Sequence, residues 1–272
     1  MSGRRMGAVL PLSRLCCAAT IALTAGGVVL PVSAALGGEP MVVPSQSNDA
    51  ERAAPRLHKY MGRIIAPTMH YSHAGWLTRP ERDREEAPDR LLALLSVQRG
   101  QQVCDFGCGN GYHTVKLARL VGPTGRVLAI DIQPEMLDLL RRRTEPRGLT
   151  NIEPALATEG DGRLPAAALD LVLMVDVYHE LDDPAGVLAQ VRSSLSPRGR
   201  VALVEFRAED PEVPIQPLHK MEKPQIQAEL TANGFKLVEQ HDELPWQHLL
   251  LYARDDSPLP AVVLSPWLPR PE

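Results

Sequence analysis

The sequence is poor in aromatic residues and in cysteine, and the placement of its few cysteines argues against two kinds of site. Aromatic residues make up only 4% of the 272 residues, and there are four cysteines. Cys16 and Cys17 lie in one apolar segment, while Cys104 and Cys108 flank a glycine-rich turn, so a disulfide framework is not expected. A zinc site built on Cys104 and Cys108 is not expected either, because no second Cys/His pair follows at zinc-site spacing.

The chain also lacks an excess of positive charge. Its 29 Lys and Arg residues are outnumbered by 33 Asp and Glu residues, which gives a net charge of -4. A protein that binds nucleic acid through the phosphate backbone needs a basic surface, so nucleic acid is not an expected partner. A hydrophobic content of 44% is typical of a globular core.

The N-terminus carries an export-like segment. Arg4, Arg5 and Arg14 precede an apolar stretch over residues 15–35, and the small residues around Ala34 resemble a cleavage site. The segment predicts a secretory signal and hence an exported, periplasmic protein, with a membrane anchor as the alternative. A mis-assigned start codon would instead leave the protein cytoplasmic. Residues 1–40 are therefore set apart from the fold.

After this segment, the chain alternates between predicted strands and helices. Residues 41–90 are predicted to form an N-terminal helical lid, 91–256 the main domain and 257–272 a proline-rich tail. The mixed-charge run 79–86 is predicted to be the solvated start of a helix. Strands alternating with helices indicate an α/β fold with a parallel sheet. Predicted strands cover 102–106, 126–131, 152–156, 170–177, 200–206, 235–240 and 247–253, and predicted helices cover 88–95, 112–121, 134–143, 184–195 and 225–233. A turn is expected at 197–199.

The richest motif is D-x-G-x-G-x-G, from Asp105 to Gly111, at the end of the first main strand. Glycines at alternate positions allow a tight turn and a close approach of the backbone to a ligand. The acidic Asp105 disfavours a phosphate there and favours a ligand with a cation or hydroxyls. Asp131 follows 20 residues later at the end of the next strand, where a carboxylate can accept hydrogen bonds from ribose hydroxyls or cap the helix that begins nearby.

These motifs, with VLAIDIQPEML at 127–137 and MVDVYHEL at 174–181, resemble class I S-adenosylmethionine-dependent methyltransferases, in particular a bacterial type 11-like group. The resemblance implies a Rossmann-like fold with a mostly parallel seven-stranded sheet, an antiparallel C-terminal strand and helices on both faces. It implies S-adenosylmethionine as cofactor. The carried-over cofactor-binding residues are Asp105, Gly107, Gly109 and Gly111 for the methionine part, Asp131 for the ribose and Asp161 for the adenine, together with their neighbours Ile132 and Gly162.

Other residues are candidates for the acceptor side of the site. Asp176 would lie near the sulfonium, His179 is the candidate base, and Tyr178 would shape the acceptor pocket; a structural role is the alternative for His179. His70 and His73 have helical spacing, but no third ligand accompanies them, so no metal is predicted. The candidate substrate contacts are Tyr60, His70, Tyr71, His73, Trp76 and Glu205.

Methyl transfer to a small-molecule acceptor is the predicted function. Two alternatives stay open: a non-catalytic binding protein of the same fold at the cell envelope, and an NAD-dependent oxidoreductase, since the spacing from the glycines to Asp131 fits both cofactors. The apolar N-terminus also predicts membrane association. Neither the acceptor atom nor the oligomeric state follows from the sequence.

Overall fold

A computed structural model describes residues 58–158 and 160–269 of the chain. The predicted signal or anchor segment, residues 1–40, lies outside these residues. The strands are β1 (Lys59–Tyr60), β2 (Arg63–Ile64), β3 (Gln102–Phe106), β4 (Arg126–Asp131), β5 (Ile152–Leu156), β6 (Leu169–Val175), β7 (Leu195–Arg207), β8 (Lys220–Met221), β9 (Phe235–His241) and β10 (Gln247–Arg254). The α-helices are α1 (Arg82–Glu86), α2 (Pro88–Leu95), α3 (Tyr112–Val121), α4 (Pro134–Thr144), α5 (Pro184–Ser194) and α6 (Lys223–Ala232).

The main sheet has the order β5-β4-β3-β6-β7-β10-β9, and the short β8 pairs with β7. Strands β3 to β7 are parallel, whereas β10 runs antiparallel to both of its neighbours. The five-residue connection 242–246 between β9 and β10 is too short for a helical crossover, which is why these two strands are antiparallel. The Rossmann-like fold with one antiparallel C-terminal strand is confirmed, and β8 is an eighth strand that the sequence did not predict.

Both faces of the sheet are buried, which explains the long apolar run in β6. Leu171 and Leu173 face a core shared with α2 and α3, while Val172 and Met174 face a core shared with α5 and α6. Successive side chains of a strand point to opposite faces, so a strand covered on both sides must be apolar throughout. Helices therefore lie on both faces of the sheet, as predicted.

The predicted turn at 197–199 is wrong, because the structure includes these residues in the long strand β7. The pairing with β6 shifts from Leu169–Leu195 to Leu171–Arg200, so the extra residues form an irregularity within the strand. Gly199 is needed at this point, since a Cβ there would collide with the carbonyl oxygen of Leu169. Such irregularities let a strand bend while it continues its pairing.

Residues 58–86 lie ahead of the main sheet and are only partly helical. They begin with the hairpin β1–β2, continue through a 3-10 helix over Tyr71–Thr78 and end in the short α1. At the other end of the chain, the tail pairs with β9 through the amide of Val262 and the carbonyl oxygen of Leu237 (2.9 Å). In the described part of the chain, no helix is both long and apolar enough to cross a bilayer.

Arg63 attaches the N-terminal hairpin to the main domain. Its guanidinium pairs with the fully buried Glu229 (Nε to Oε1, 2.8 Å) and donates to the carbonyl oxygen of His179 (3.1 Å). Glu229 also accepts a hydrogen bond from the hydroxyl of Tyr178 (2.7 Å). A buried carboxylate is tolerated only when it is paired and hydrogen-bonded, so Glu229 depends on Arg63.

We expect Arg63→Ala to destabilise the protein by about 3–5 kcal/mol, because it leaves the charge of Glu229 buried without its cation. Arg141→Ala is the matched control, since Arg141 pairs with Asp138 on an exposed helix face and should cost less than about 1 kcal/mol. Urea unfolding followed by circular dichroism measures both. Equal losses in the two variants would contradict this role of Arg63.

Candidate functional site

The larger of two cavities, about 1060 Å³, opens at the carboxyl ends of the parallel strands. Gly107 and Gly109 after β3, Asp131 at the end of β4 and Asp176 after β6 form its floor. A smaller cavity of about 270 Å³ lies at the amino ends of the strands, near Gln102. Open α/β sheets bind ligands at the carboxyl ends of their strands, so the larger cavity is the candidate site.

The glycines after β3 have separate structural roles. The backbone at Gly107 and Gly109 is left-handed, with φ of 72° and 52°. A Cβ on Gly107 would lie 2.5 Å from Val177, and one on Gly109 would lie 2.7 Å from Leu77, so both positions are closed to larger residues. Gly111 is instead packed against Leu140 and is not part of the cavity lining. Only the first two glycines therefore offer bare backbone to a ligand.

Asp131 lies on the cavity floor and ties two backbone segments together. One carboxylate oxygen accepts a hydrogen bond from the amide of Gly109 (2.9 Å), and the other accepts one from the amide of Gln133 (2.9 Å). Burial raises the pKa of Asp131, although these amide donors oppose the shift. Each carboxylate oxygen can accept more than one hydrogen bond, so Asp131 retains capacity for ligand hydroxyls. Its predicted contact with a ribose stays a prediction.

Asp105 lies beneath the glycine turn and outside the cavity lining. It is buried, and it accepts a short hydrogen bond from the hydroxyl of Thr114 in the first turn of α3 (2.5 Å). Burial raises the pKa of Asp105 to about 6, although the bond from Thr114 opposes the shift. The structure thus shows Asp105 bracing the start of α3, and its predicted contact with the methionine part of the cofactor stays a prediction.

Residues 67–79, called the lid segment below, cover the cavity. Gln133 holds this segment from both sides, donating to the carbonyl oxygen of Met69 (2.9 Å) and accepting from the amide of Tyr71 (2.8 Å). The carboxylate of Glu180 accepts from the amide of Met69 (3.2 Å). Asn110 adds a bond to the carbonyl oxygen of Ala74 (3.0 Å). Residues that follow strand ends thus hold the lid segment in place.

The mixed-charge run 79–86 is not the solvated helix start that its composition indicates. Arg82 and Glu86 are buried, and both line the cavity. Glu86 pairs with Arg82 (2.6 Å) and with Arg79 (2.6 Å), and the guanidinium of Arg79 lies over the ring of Trp76. Because opposite charges alternate along this run, they neutralise one another and tolerate burial.

Asp176 lines the cavity directly after β6. Its φ of 54° is unusual for a residue other than glycine, and such strain is found mainly at functional sites. The side-chain amide of Gln247 donates to both carboxylate oxygens (3.0 and 2.8 Å). Burial, together with the negative charges of Glu86 and Glu205, raises the pKa of Asp176 well above its usual value.

His179 is a buried residue that lines the cavity, as Asp176 does. Its Nδ1 lies 2.5 Å from the carboxylate of Glu205, and its Nε2 lies 3.0 Å from Nδ1 of His219. Burial lowers the pKa of His179, but the charges of Glu205 and Glu180 outweigh it, so that the net shift is upward. Glu205 is fully buried behind His179 and also accepts from the amide of Tyr178 (2.9 Å).

The other predicted site residues fall into two groups. His70, His73 and Trp76 line the cavity. Tyr178 is instead fully buried, and its hydroxyl donates to Glu229. Burial and the charge of Glu229 raise the pKa of Tyr178. The remaining predicted residues lie outside the cavity lining, and their ligand contacts stay predictions: Tyr60 accepts a bond from Asn233, Tyr71 contacts Gln133 through its amide, Ile132 is exposed, Asp161 is paired with Arg163, and Gly162 donates to Gln190.

Several lining residues were missed by the sequence reasoning. Gln133 and Glu180 lie within the motifs at 127–137 and 174–181 but were given no role there. For Gln133 and Glu180 a signal existed, because polar residues that closely follow the ends of parallel strands lie at the ligand edge of the sheet. His219, which the sequence supported only weakly as a site residue, lines the cavity from the long connection between β7 and β8.

The raised pKa of Asp105 predicts a pH dependence of stability. The pKa of Asp105 is about 6 in the folded protein and 3.8 in the unfolded chain, so the folded state binds the proton more tightly. The resulting stabilisation is fully present below pH 3.8 and is lost as the pH rises through 6. Relative to Asp105→Asn, the wild type should lose about 3 kcal/mol between pH 3.8 and pH 7. Urea unfolding across this range measures the difference. Asp138→Asn, on an exposed helix face, is the control, and parallel profiles for wild type and Asp105→Asn would contradict the assignment.

Comparisons with known proteins agree with this geometry. The family described as "Methyltransferase domain" matches residues 98–253, more than half of the chain. The aklanonic acid methyltransferase of Streptomyces sp. (strain C5) is 35% identical over 121 residues, which are 44% of this chain and 55% of that protein. The nocamycin O-methyltransferase of Saccharothrix syringae is 32% identical over 114 residues, covering 42% of this chain and 41% of that protein. The chain spans about half the length of these curated relatives.

A solved structure shares the fold. The S-adenosylmethionine-dependent methyltransferase of Aquifex aeolicus superposes with a TM-score of 0.64 over 68% of this chain and 98% of that one, at 23% identity. With the matched family, the glycine turn and the carboxylate of Asp131 in place, the chain belongs to the class I S-adenosylmethionine-dependent methyltransferases.

Proposed function

We propose that the protein transfers the methyl group of S-adenosylmethionine to a small-molecule acceptor in the cavity beneath the lid segment. The observation that carries the proposal is the carboxylate of Asp131 on the cavity floor, beside the bare backbone of Gly107 and Gly109. This combination suits a ligand with vicinal hydroxyls and a polar chain that runs close to the glycines.

The chain's own residues would mainly bind and orient. When bound, S-adenosylmethionine supplies an activated methyl carbon on a sulfonium, so the protein needs chiefly to align the acceptor with that carbon. Asp131 would hold the ribose, and the glycine backbone would accommodate the methionine part. Asp176 lies on the neighbouring wall of the cavity. When its carboxyl group is ionised, the negative charge would favour a cationic centre nearby.

The acceptor end of the cavity is its far wall, with His179, Glu180 and His219, under the lid residues His73 and Trp76. A lid that covers the cavity limits the acceptor to molecules small enough to fit below it. The relatives named for aklanonic acid and nocamycin are consistent with a small-molecule acceptor. The net charge of -4 gives no support to a nucleic-acid acceptor.

Binding of S-adenosylhomocysteine tests the cofactor assignment. We expect Asp131→Asn to weaken this binding by about 10- to 150-fold, because each charge-assisted hydrogen bond to a ribose hydroxyl contributes about 1.5–3 kcal/mol. Asp138→Asn, on the exposed face of α4, should bind as the wild type does. Isothermal titration calorimetry of the three proteins provides the measurement.

Two results would contradict the assignment. One is unchanged affinity in Asp131→Asn, and the other is tight binding of NAD in place of S-adenosylhomocysteine. Cofactor binding without transfer of a labelled methyl group across a broad panel of hydroxyl, thiol and amine acceptors would instead favour a non-catalytic binding protein.

We propose further that the N-terminal segment exports the protein or anchors it in a membrane. The support is the sequence itself, in which arginines precede the apolar stretch 15–35 and small residues follow. Fractionation of cells that express the full chain, followed by mass spectrometry of its N-terminus, tests this. Recovery of uncleaved protein in the cytoplasm alone would overturn the proposal.

A further inference from the structure

The acceptor end of the cavity holds three side chains with the geometry of a metal site. Nε2 of His179 lies 3.0 Å from Nδ1 of His219 and 3.8 Å from Oε1 of Glu180, and the last two atoms are 3.6 Å apart. The circle through three points at these distances has a radius of about 2.0 Å, which is the usual distance from zinc to imidazole nitrogen and carboxylate oxygen. We propose that His179, Glu180 and His219 bind a divalent transition-metal ion such as Zn²⁺.

The group behind His179 supports this assignment. A ligating histidine normally donates its other ring N–H to a carboxylate or a carbonyl, which orients the ring and directs the lone pair at the metal. Glu205 lies 2.5 Å from Nδ1 of His179, is fully buried and is itself held by the amide of Tyr178. If Nδ1 of His179 donates its proton to Glu205, which β7 holds in place, Nε2 is left to accept a bond or bind an ion.

The three ligands leave an open coordination position. All three residues line the cavity, so the side of the ion that the protein does not cover would face the cavity. Two imidazoles and one carboxylate with a free position form a ligand set of catalytic zinc. Among the residues that the structure describes, no other group of three His, Cys, Asp or Glu side chains reaches this geometry.

A metal here would hold and activate the acceptor, a step that rests on the proposed function. A bound ion lowers the pKa of a coordinated hydroxyl or thiol. The proton of the acceptor would pass to solvent, and an electron pair on the acceptor oxygen or sulfur would form the bond to the methyl carbon. The bond between that carbon and the sulfonium sulfur would break, and its electron pair would stay on the sulfonium sulfur. Glu180 also accepts from the amide of Met69, so the same carboxylate would link the ion to the lid segment.

The test is Zn²⁺ binding by the untagged full chain, because an oligohistidine tag binds the same ions. After removal of metals with a chelator, competition against a chromogenic chelator should give one Zn²⁺ per chain. His219→Ala and Glu180→Gln should lose this stoichiometric binding. Glu205→Gln should weaken it by about 10- to 100-fold, as expected for a group that orients a ligand.

His58→Ala is the matched control, since His58 is an exposed histidine paired with Asp182 away from the cavity lining. It should bind Zn²⁺ as the wild type does. Thermal melts confirm that each variant is folded, and titration with S-adenosylhomocysteine on the same samples separates loss of the metal from loss of the cofactor site. Wild type that takes up no stoichiometric Zn²⁺, or folded His219→Ala and Glu180→Gln that bind it as tightly as the wild type, would overturn the metal site.

Discussion

The carboxylate of Asp131 is the interaction on which the arrangement of the cavity depends. It binds the amide of Gly109 with one oxygen and the amide of Gln133 with the other, so a single side chain joins the glycine turn to the start of α4. The side-chain amide of Gln133 in turn holds the lid segment, because its nitrogen donates to Met69 and its oxygen accepts from Tyr71. Floor, helix start and lid are therefore fixed relative to one another by one carboxylate, because an ionised carboxyl group accepts several hydrogen bonds.

The opposite wall depends on a buried charge in β7. Glu205 is fully buried and satisfies its two oxygens with the amide of Tyr178 and the ring of His179. The strained backbone of Asp176 begins the turn that brings both residues within reach. Arg63 then closes the turn from the far side by donating to its carbonyl groups. A buried charge demands partners on all sides, and here those partners define the shape of the acceptor end.

Much of the fold could be predicted because periodicity and strand ends are local properties. The boundaries of β3, β4, β5 and α3 agree with the prediction residue for residue. Predictions from composition alone were wrong where side chains or strands pair. The many charges of the run 79–86 predicted a solvated helix start, yet Arg82 and Glu86 are buried because they neutralise each other. At 197–199, Pro and Gly indicate a turn, but β7 pairs with β6 both before these residues, at Leu195, and after them, at Arg200, so the strand continues through them.

The sequence by itself determined the order of strands and helices and the position of Asp131 and the glycines at the ligand edge, because residue spacing sets where each strand ends. It did not determine which way neighbouring side chains point. Asp105 supports α3 from below, and Tyr178 turns inward while His179 lines the cavity. Only the tertiary structure joined His179 to His219, 40 residues away, because contacts between distant segments arise from packing and leave no periodic trace in the chain.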